Sequence, residues 1–416
     1  MNALRIPELL APAGNRERLD AALHFGADAV YGGGKRFGLR AYADNFDIEE
    51  LTAAVQACHQ QGKRFYYTLN AYLQQADLPA LRTHLQELEQ TGVDALIISD
   101  PGVLMTVREA GCALELHLST QANALNAAAA RFWAQAGVQR LVLARECTLT
   151  DIRHIRDALP PEVELECFVH GAMCIAYSGR CLLSNMLDGR DGNRGACSQV
   201  CRRRFELREH GDNGLYYPIE EGEHGTYVFN SRDMNLIADL ATLCEAGIDS
   251  FKIEGRMKTA YYVATVVNAY RMALDGLAAG QPWNPAIGEE LLKIRHRPYS
   301  TGFYFADSRP QEQRETQNEN ANIQTHEFVG VVQGYDAQQG ALLVEQRNRF
   351  YPGDELEVIS PGRLGQHLLV ARMTDHDGNP LQSARHPQQQ VYLYADAGKD
   401  CHPGDLLRRR MEQPLR

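Results

Sequence analysis

The chain has 416 residues, 44% of them hydrophobic and 23% charged, a globular balance that needs no disulfide staples to hold a large core. Its net charge of −11 excludes nucleic-acid binding through overall charge and leaves only a local basic patch for that purpose. No run approaches the roughly 18 apolar residues of a membrane span, and the first residues lack the basic-then-apolar pattern of a signal peptide, so a cytoplasmic setting is expected.

From the N-terminus, short apolar or β-branched runs at 8–11, 29–31, 64–69, 95–99, 115–119, 140–144, 164–169 and 250–253 read as strands covered on both faces. Helical patterns lie between them, most clearly at 48–61, 78–90 and 124–136. Gly26, Gly62, Gly92, Gly111, Gly137 and Gly247 stand where left-handed helix C-caps are wanted. Repeated strand–helix units imply a parallel sheet, and eight of them in about 280 residues match a closed (β/α)₈ barrel of the TIM type. An open doubly wound sheet is the alternative. Gly32, Gly33 and Gly34 follow Tyr31 without the G-x-G-x-x-G spacing, which weakens a dinucleotide-binding reading.

After the seventh strand, residues 171–230 form a long cysteine-rich insertion, which a barrel places on its catalytic face. A helix at 261–279 closes the barrel, and a short helix is expected near 289–295. Residues 1–305 therefore read as a (β/α)₈-like barrel and 306–326 as a polar linker. Residues 327–416 read as a small antiparallel β-barrel, with strands at 328–333, 341–345, 355–359, 367–372 and 391–394. Phe350 and Tyr351, read as exposed aromatics, could stack on RNA bases or pack beneath the Pro-Gly-Asp turn that follows them.

Six of the ten cysteines are scattered: Cys58, Cys112, Cys147, Cys167, Cys244 and Cys401. The other four are clustered as Cys174-x₆-Cys181-x₁₅-Cys197-x₃-Cys201. In a reducing compartment, clustered thiols point to metal binding or catalysis. Four thiolates suit a [4Fe–4S] cluster. Zinc and incidental buried cysteines stay open, although the C-x₂-C pairs of a zinc ribbon are absent. Cys167, on a strand, is the first substitute ligand. Arg190, Arg194, Arg202, Arg203, Arg204 and Arg208 against Asp191 and Glu206 make a local basic patch. Arg202, Arg203 and Arg204 could grip phosphates, or form a solvated loop.

Strand ends supply the remaining candidates. His170 and Glu166 close the seventh strand, where His170 could donate a proton or brace the cysteine loop. Lys252, Glu254 and Arg256 alternate at the end of the eighth; Arg256 could clamp a carboxylate, and a structural ion pair is the alternative. Gln121 and Asn123 could hydrogen-bond a base or a small acid, or fasten a loop. Asn70 and Tyr31 are similar, and Glu8 and Arg145 read as buried ion-pair partners.

The run Glu166-Cys-Phe-Val-His-Gly-Ala-Met-Cys174-Ile-Ala-Tyr-Ser-Gly-Arg-Cys181-Leu-Leu-Ser184 resembles the signature of peptidase family U32. Glu8-Leu-Leu-Ala-Pro-Ala-Gly14, Gly26-Ala-Asp-Ala-Val-Tyr31, Ser119-Thr-Gln121-Ala-Asn123 and Lys252-Ile-Glu254-Gly-Arg256 agree with it in order. The family name implies a collagenase-like protease. Neither a His-Glu-x-x-His helix nor a Gly-x-Ser-x-Gly elbow is present, so peptidase activity is kept as the alternative. Other members of the family are oxygen-independent hydroxylases of RNA or quinones that carry a [4Fe–4S] cluster. The sequence is most similar to the branch that makes 5-hydroxyuridine at the tRNA wobble position with prephenate as co-substrate. That resemblance implies tRNA and prephenate as partners and leaves room for a second family subunit; hydroxylation of rRNA or a quinone is the further alternative. The stretch 208–224 is shorter than the resemblance leads one to expect, which weakens any RNA contact from that loop.

Overall fold

The computed structural model describes residues 5–39, 44–173, 181, 183–192, 195–200, 207–208, 216–217, 232–306, 308, 322–395 and 398–415. Eight parallel strands close on themselves: β1 (Glu8–Pro12), β2 (Ala29–Gly32), β3 (Arg64–Leu69), β4 (Ala95–Ile98), β5 (Glu115–Leu118), β6 (Arg140–Val142), β7 (Glu164–Ala172) and β8 (Ser250–Ile253). Each pairs with its successor, and β8 pairs with both β7 (Ser250 opposite Glu166) and β1 (Glu8 opposite Ser250). Helices α1 (Arg16–His24), α2 (Ile48–His59), α3 (Leu78–Thr91), α4 (Pro101–Glu109), α5 (Ala127–Gln135) and α6 (Leu149–Asp157) lie between successive strands, as in a (β/α)₈ barrel, and α7 (Leu183–Asp188) and α8 (Leu240–Glu245) lie between β7 and β8. Their starts are written locally. Asp47 and Glu50 form a capping box ahead of α2 (Ile48–His59), and Thr148 and Asp151 form another ahead of the Leu149–Asp157 helix.

The insertion leaves β7 at Ala172. A short strand, Asp233–Asn235, returns antiparallel to the end of β7, with Asn235 opposite His170 and Asp233 opposite Ala172. Tyr299–Ser300 pairs in parallel with that returning strand. The excursion is thus closed at its root by sheet hydrogen bonds, which fixes where both of its ends meet the barrel. Gly171 makes this possible. Its φ is +107°, and a Cβ there would lie 2.5 Å from the Glu254 carbonyl oxygen.

Cα packing divides the chain into two compact units. One comprises Met1–Leu19, Asp28–Met257 and Pro298–Asn320; the other Asp20–Ala27, Lys258–Arg297 and Ala321–Arg416. The second holds an antiparallel half-barrel of seven strands: β9 (Gln324–Asp336), β10 (Ala341–Gln346), β11 (Glu355–Ile359), β12 (Gln366–Leu369), β13 (Arg372–Thr374), β14 (Gln390–Tyr394) and β15 (Leu406–Leu415). Their order in the sheet is β12-β11-β15-β9-β10-β14-β13. Val329, Val344, Leu356, Val391 and Leu407 belong to its apolar core. Phe350 is fully buried in that core, so it offers no stacking face; Tyr351 beside it is exposed.

Further features of this unit differ from the sequence reading: the run at 367–372 is two strands, β12 and β13, and β15 at its end was not expected. The long helix α9 (Ala260–Ala278), read as the helix that closes the barrel, groups with the C-terminal strands. Asn268 on α9 donates to the carbonyls of Ser360 and Arg363 and accepts from Gly362 N. The next helix is α10 (Pro285–Glu290) rather than one at 289–295, because Asn284 caps Ala286 N and Pro285 opens the first turn. Of the polar linker, residues 307 and 309–321 lie outside the described residues.

Candidate active site

An open cavity enclosing about 890 Å³, part of it continuous with solvent, lies at the C-terminal ends of the barrel strands. Tyr31, Thr68, Asn70, Gln121, Arg145 and Phe168 line it from β2, β3, β7 and the ends of β5 and β6, and Lys252, Glu254 and Arg256 from the end of β8. Cys181, Ser184, Gly192 and Cys197 of the insertion line it too.

The floor is charged. Lys252 Nζ donates to Glu166 Oε1 at 2.7 Å and sits 4.4 Å from the Tyr31 ring centroid. Glu166 is fully buried, and its second oxygen accepts from Arg140 Nη1 at 3.2 Å. Arg140 also meets Glu8 at 2.6 Å and Glu164 at 2.6 Å, and Ser250 donates to Glu8. Burial alone would raise the Glu166 pKa, but the charges of Lys252 and Arg140 outweigh it and hold the carboxyl below the usual range. Burial pushes the Lys252 ammonium the other way, below the ordinary lysine value, and Glu166 opposes this only in part.

On the wall, Arg145 Nη2 donates to Glu254 Oε2 at 3.1 Å, and its guanidinium lies 4.0 Å from the Phe168 centroid. Arg256 donates to Thr68 Oγ1 at 2.9 Å and to Asn45 Oδ1 at 2.5 Å. The glycine run after Tyr31 makes room for this fork. A Cβ at Gly33 would lie 2.4 Å from Thr68 Oγ1 and 2.7 Å from Arg256 Nη2. Asn70 accepts from Leu39 N and donates to Ser119 Oγ, each at 3.3 Å.

Cys181 is half-buried and Cys197 exposed. A short helix, Leu183–Asp188, follows Cys181. Ser198 N donates to Ser184 Oγ at 3.0 Å, and Arg190 Nε donates to the Ala196 carbonyl at 3.0 Å, so the Cys197 turn is clamped to that helix. Two soft donors on one cavity, beside a wall bearing Arg145, Lys252 and Arg256 against one carboxylate, Glu254, fit an anionic thiolate-bound cluster. Cys174 and Cys201, and the basic run Arg202, Arg203 and Arg204, lie outside the described residues.

Of the other expected residues, Asn70, Gln121, Lys252, Glu254 and Arg256 meet at the cavity. Glu166 does not line it; it lies beneath Lys252 among the interior charges. His170 is buried, its ring 5.4 Å from that of Tyr299, and its carbonyl accepts from Glu254 N at 2.9 Å. Asn123 has a left-handed backbone and donates to the Gln121 carbonyl, which is loop fastening. Tyr31 donates to the Ile253 carbonyl at 2.9 Å. Glu8 and Arg145 are ion-paired, as the sequence suggested. Thr68, Ser119 and Ser184 were not anticipated. Thr68 and Ser119 stand near strand ends, a position that carries a signal in any barrel, whereas Ser184 had none beyond its place after Cys181.

Residues 14–314 match the profile of Peptidase family U32, and residues 324–408 match the Peptidase family U32 C-terminal domain. The chain is 40% identical over 407 residues to the tRNA hydroxylation protein P1 of Bacillus subtilis, an alignment covering 97% of this chain and 94% of that protein. It is 38% identical over 270 residues to the 23S rRNA 5-hydroxycytidine C2501 synthase of Escherichia coli, covering 65% and 39%. It is 34% identical over 311 residues to a collagenase of Porphyromonas gingivalis, covering 72% and 73%. With both profiles matched in order along one chain, and the barrel and half-barrel in the same order, this chain belongs to peptidase family U32.

Proposed function

We propose that this protein is a tRNA-modifying enzyme that hydroxylates C5 of the wobble uridine without oxygen, with a [4Fe–4S] cluster and prephenate as co-substrate. Cys181 and Cys197, with Cys174 and Cys201, would hold the cluster, which when bound supplies one-electron chemistry. The observation that carries the reading is that two of these thiols open on the same cavity as Lys252, Glu254, Arg145 and Arg256. The likeness over 97% of the chain to a tRNA hydroxylation protein supports RNA as the substrate.

A uridine must leave its stack to reach a barrel mouth. Asn70 and Gln121 present amides to such a base, and Arg145 and Arg256 present guanidinium N–H groups to carboxylates. Glu254 and Lys252 are the groups placed to move protons at the bound substrate. Glu166 positions Lys252 from below, and His170 positions Glu254 through its carbonyl. Arg202, Arg203 and Arg204 would grip phosphates of the RNA.

The test is anaerobic purification with iron and sulfide analysis, and mass spectrometry of tRNA from cells that lack the gene. Wild type is expected to be brown, C181A and C197A to lose most iron, and the deletion strain to lose 5-hydroxyuridine-derived wobble nucleosides. Iron-free wild type after reconstitution, or unchanged tRNA, would overturn the reading. A peptidase reading has the collagenase relative behind it. The cavity hydroxyls do not favour it: Ser119 bonds to Asn70 and Gln121 N, and Ser184 to Ser198, with no imidazole at either among the described residues. Denatured collagen is expected to remain intact on incubation with the protein.

A further inference from the structure

The chain has six lysines, Lys35, Lys63, Lys252, Lys258, Lys293 and Lys399, and of these Lys252 is buried against the barrel cavity, 4% exposed. A lysine that served only as a structural ion-pair partner would spend its N–H groups inside the core. Among the described residues, Lys252 donates to one acceptor, Glu166 Oε1 at 2.7 Å. Around its Nζ stand two aromatic rings, Tyr31 at 4.4 Å and Phe168 at 5.7 Å, and both rings line the cavity. The amine is therefore held at the floor of the site, with N–H bonds to spare and one carboxylate within proton-transfer distance.

We propose that Lys252 is a Schiff-base lysine, whose amine condenses with the carbonyl of an α-keto acid held in this cavity. The ammonium passes a proton to Glu166, and the nitrogen lone pair attacks the carbonyl carbon. One nitrogen-bound proton moves to the alkoxide, Glu166 returns its proton to the resulting hydroxyl, and the carbon–oxygen bond breaks, so water leaves and a protonated iminium remains. Two protons leave with the water, and no oxidant or reductant takes part. The iminium keeps the positive charge of the ammonium it replaces, so the buried Glu166 carboxylate faces a cation both before and after the condensation. Burial that lowers the lysine pKa favours the neutral amine the attack needs.

An acid is favoured over a simple aldehyde because of Arg145. Its guanidinium, 4.0 Å from the Phe168 ring centroid, lines the same cavity as Lys252 and offers a planar N–H fork to the acid's carboxylate. The inference rests on the reading above only in placing substrate in this cavity; it needs neither RNA nor the cluster.

The full-length protein is incubated with pyruvate, and separately with prephenate, then treated with sodium borohydride and read by intact mass and peptide mapping. One borohydride-dependent adduct per chain is expected, its mass the keto acid less one oxygen atom, on the peptide bearing Lys252. K252R, which keeps the charge opposite Glu166, is expected to lose at least nine-tenths of the labelling. No adduct with either acid, an adduct mapped to another lysine, or undiminished labelling of K252R would overturn the proposal. Because mapping is done on wild type, the answer does not depend on the variant folding. An adduct in a protein that leaves tRNA unmodified would support the lysine's role and overturn the proposed function. Hydroxylated tRNA with no adduct would do the reverse.

Discussion

At the scale of single residues, the interior of the first unit runs on charge rather than on apolar packing alone. Glu166 is wholly buried between Lys252 and Arg140, and removing its charge leaves two cations with one acceptor fewer. Breaking a buried pair from one side typically costs about 3 kcal/mol or more. E166Q is therefore expected to lower the urea midpoint while leaving the m-value unchanged. The pH dependence has a definite sign. A carboxylate whose folded pKa is depressed contributes its full stability above the unfolded value of about 4.3. That contribution is lost as the pH falls through the lower folded value. The wild-type protein should lose stability steeply below about pH 4, and E166Q should show a flatter acid limb. Equal acid limbs in the two proteins would remove Glu166 from the ledger of ionised groups. Sequence alone places Glu166 and Lys252 at strand ends. It does not say which of the two reaches the cavity, since that depends on depth along the barrel: Glu166, third in β7, lies opposite Ser250, two residues deeper than Lys252 opposite Phe168.

At the scale of elements, the barrel was legible because parallel strands buried on both faces are apolar runs; β2, β4, β6 and β8 are buried at every position. The C-cap glycines were legible for the same local reason, and all six expected ones have positive φ. The last strand, β15, was not. Its residues Arg408, Arg409 and Arg410 break the alternation that marks a strand, yet Arg408 is fully buried, held by Glu290 and Glu357. A buried arginine looks like a surface residue until its partners, remote in sequence, are known. The short return strand Asp233–Asn235 was missed because three residues carry no period. The glycine run at the end of β2 is the element that shapes the site. G33A would drive a methyl against Thr68 and Arg256, an overpacking that costs about 1–3 kcal/mol. Its main consequence should be functional. KM for the proposed keto-acid co-substrate is expected to rise several-fold as the Arg256 fork shifts, with the thermal midpoint falling by only a few degrees. An unchanged KM would mean that Arg256 does not contact the substrate.

At the scale of the whole molecule, the division into units bears on how the chain can be cut. The polar stretch before residue 327 looks like a place to separate an enzyme from an appendage. The packing argues otherwise. Helices α9 and α10 precede that stretch but belong to the same unit as the seven C-terminal strands. Asn268 on α9 spends its whole side-chain amide on the 360–363 turn. Glu290 on α10 accepts from Arg408, and Lys293 donates to Glu357 at 2.9 Å. The Tyr261 and Phe328 rings stack with centroids 5.5 Å apart. Ending the chain at residue 320 would leave Asn268, Glu290 and Lys293 without these partners and would bare the apolar face that α9 turns to them. The truncated protein is expected to be poorly soluble, to bind a hydrophobic dye, and to melt well below the full chain. If the chain ending at residue 320 instead melts at the full-length temperature with unchanged solubility, the C-terminal strands contribute nothing to the helices they pack against, and the boundary at the polar stretch is the true one.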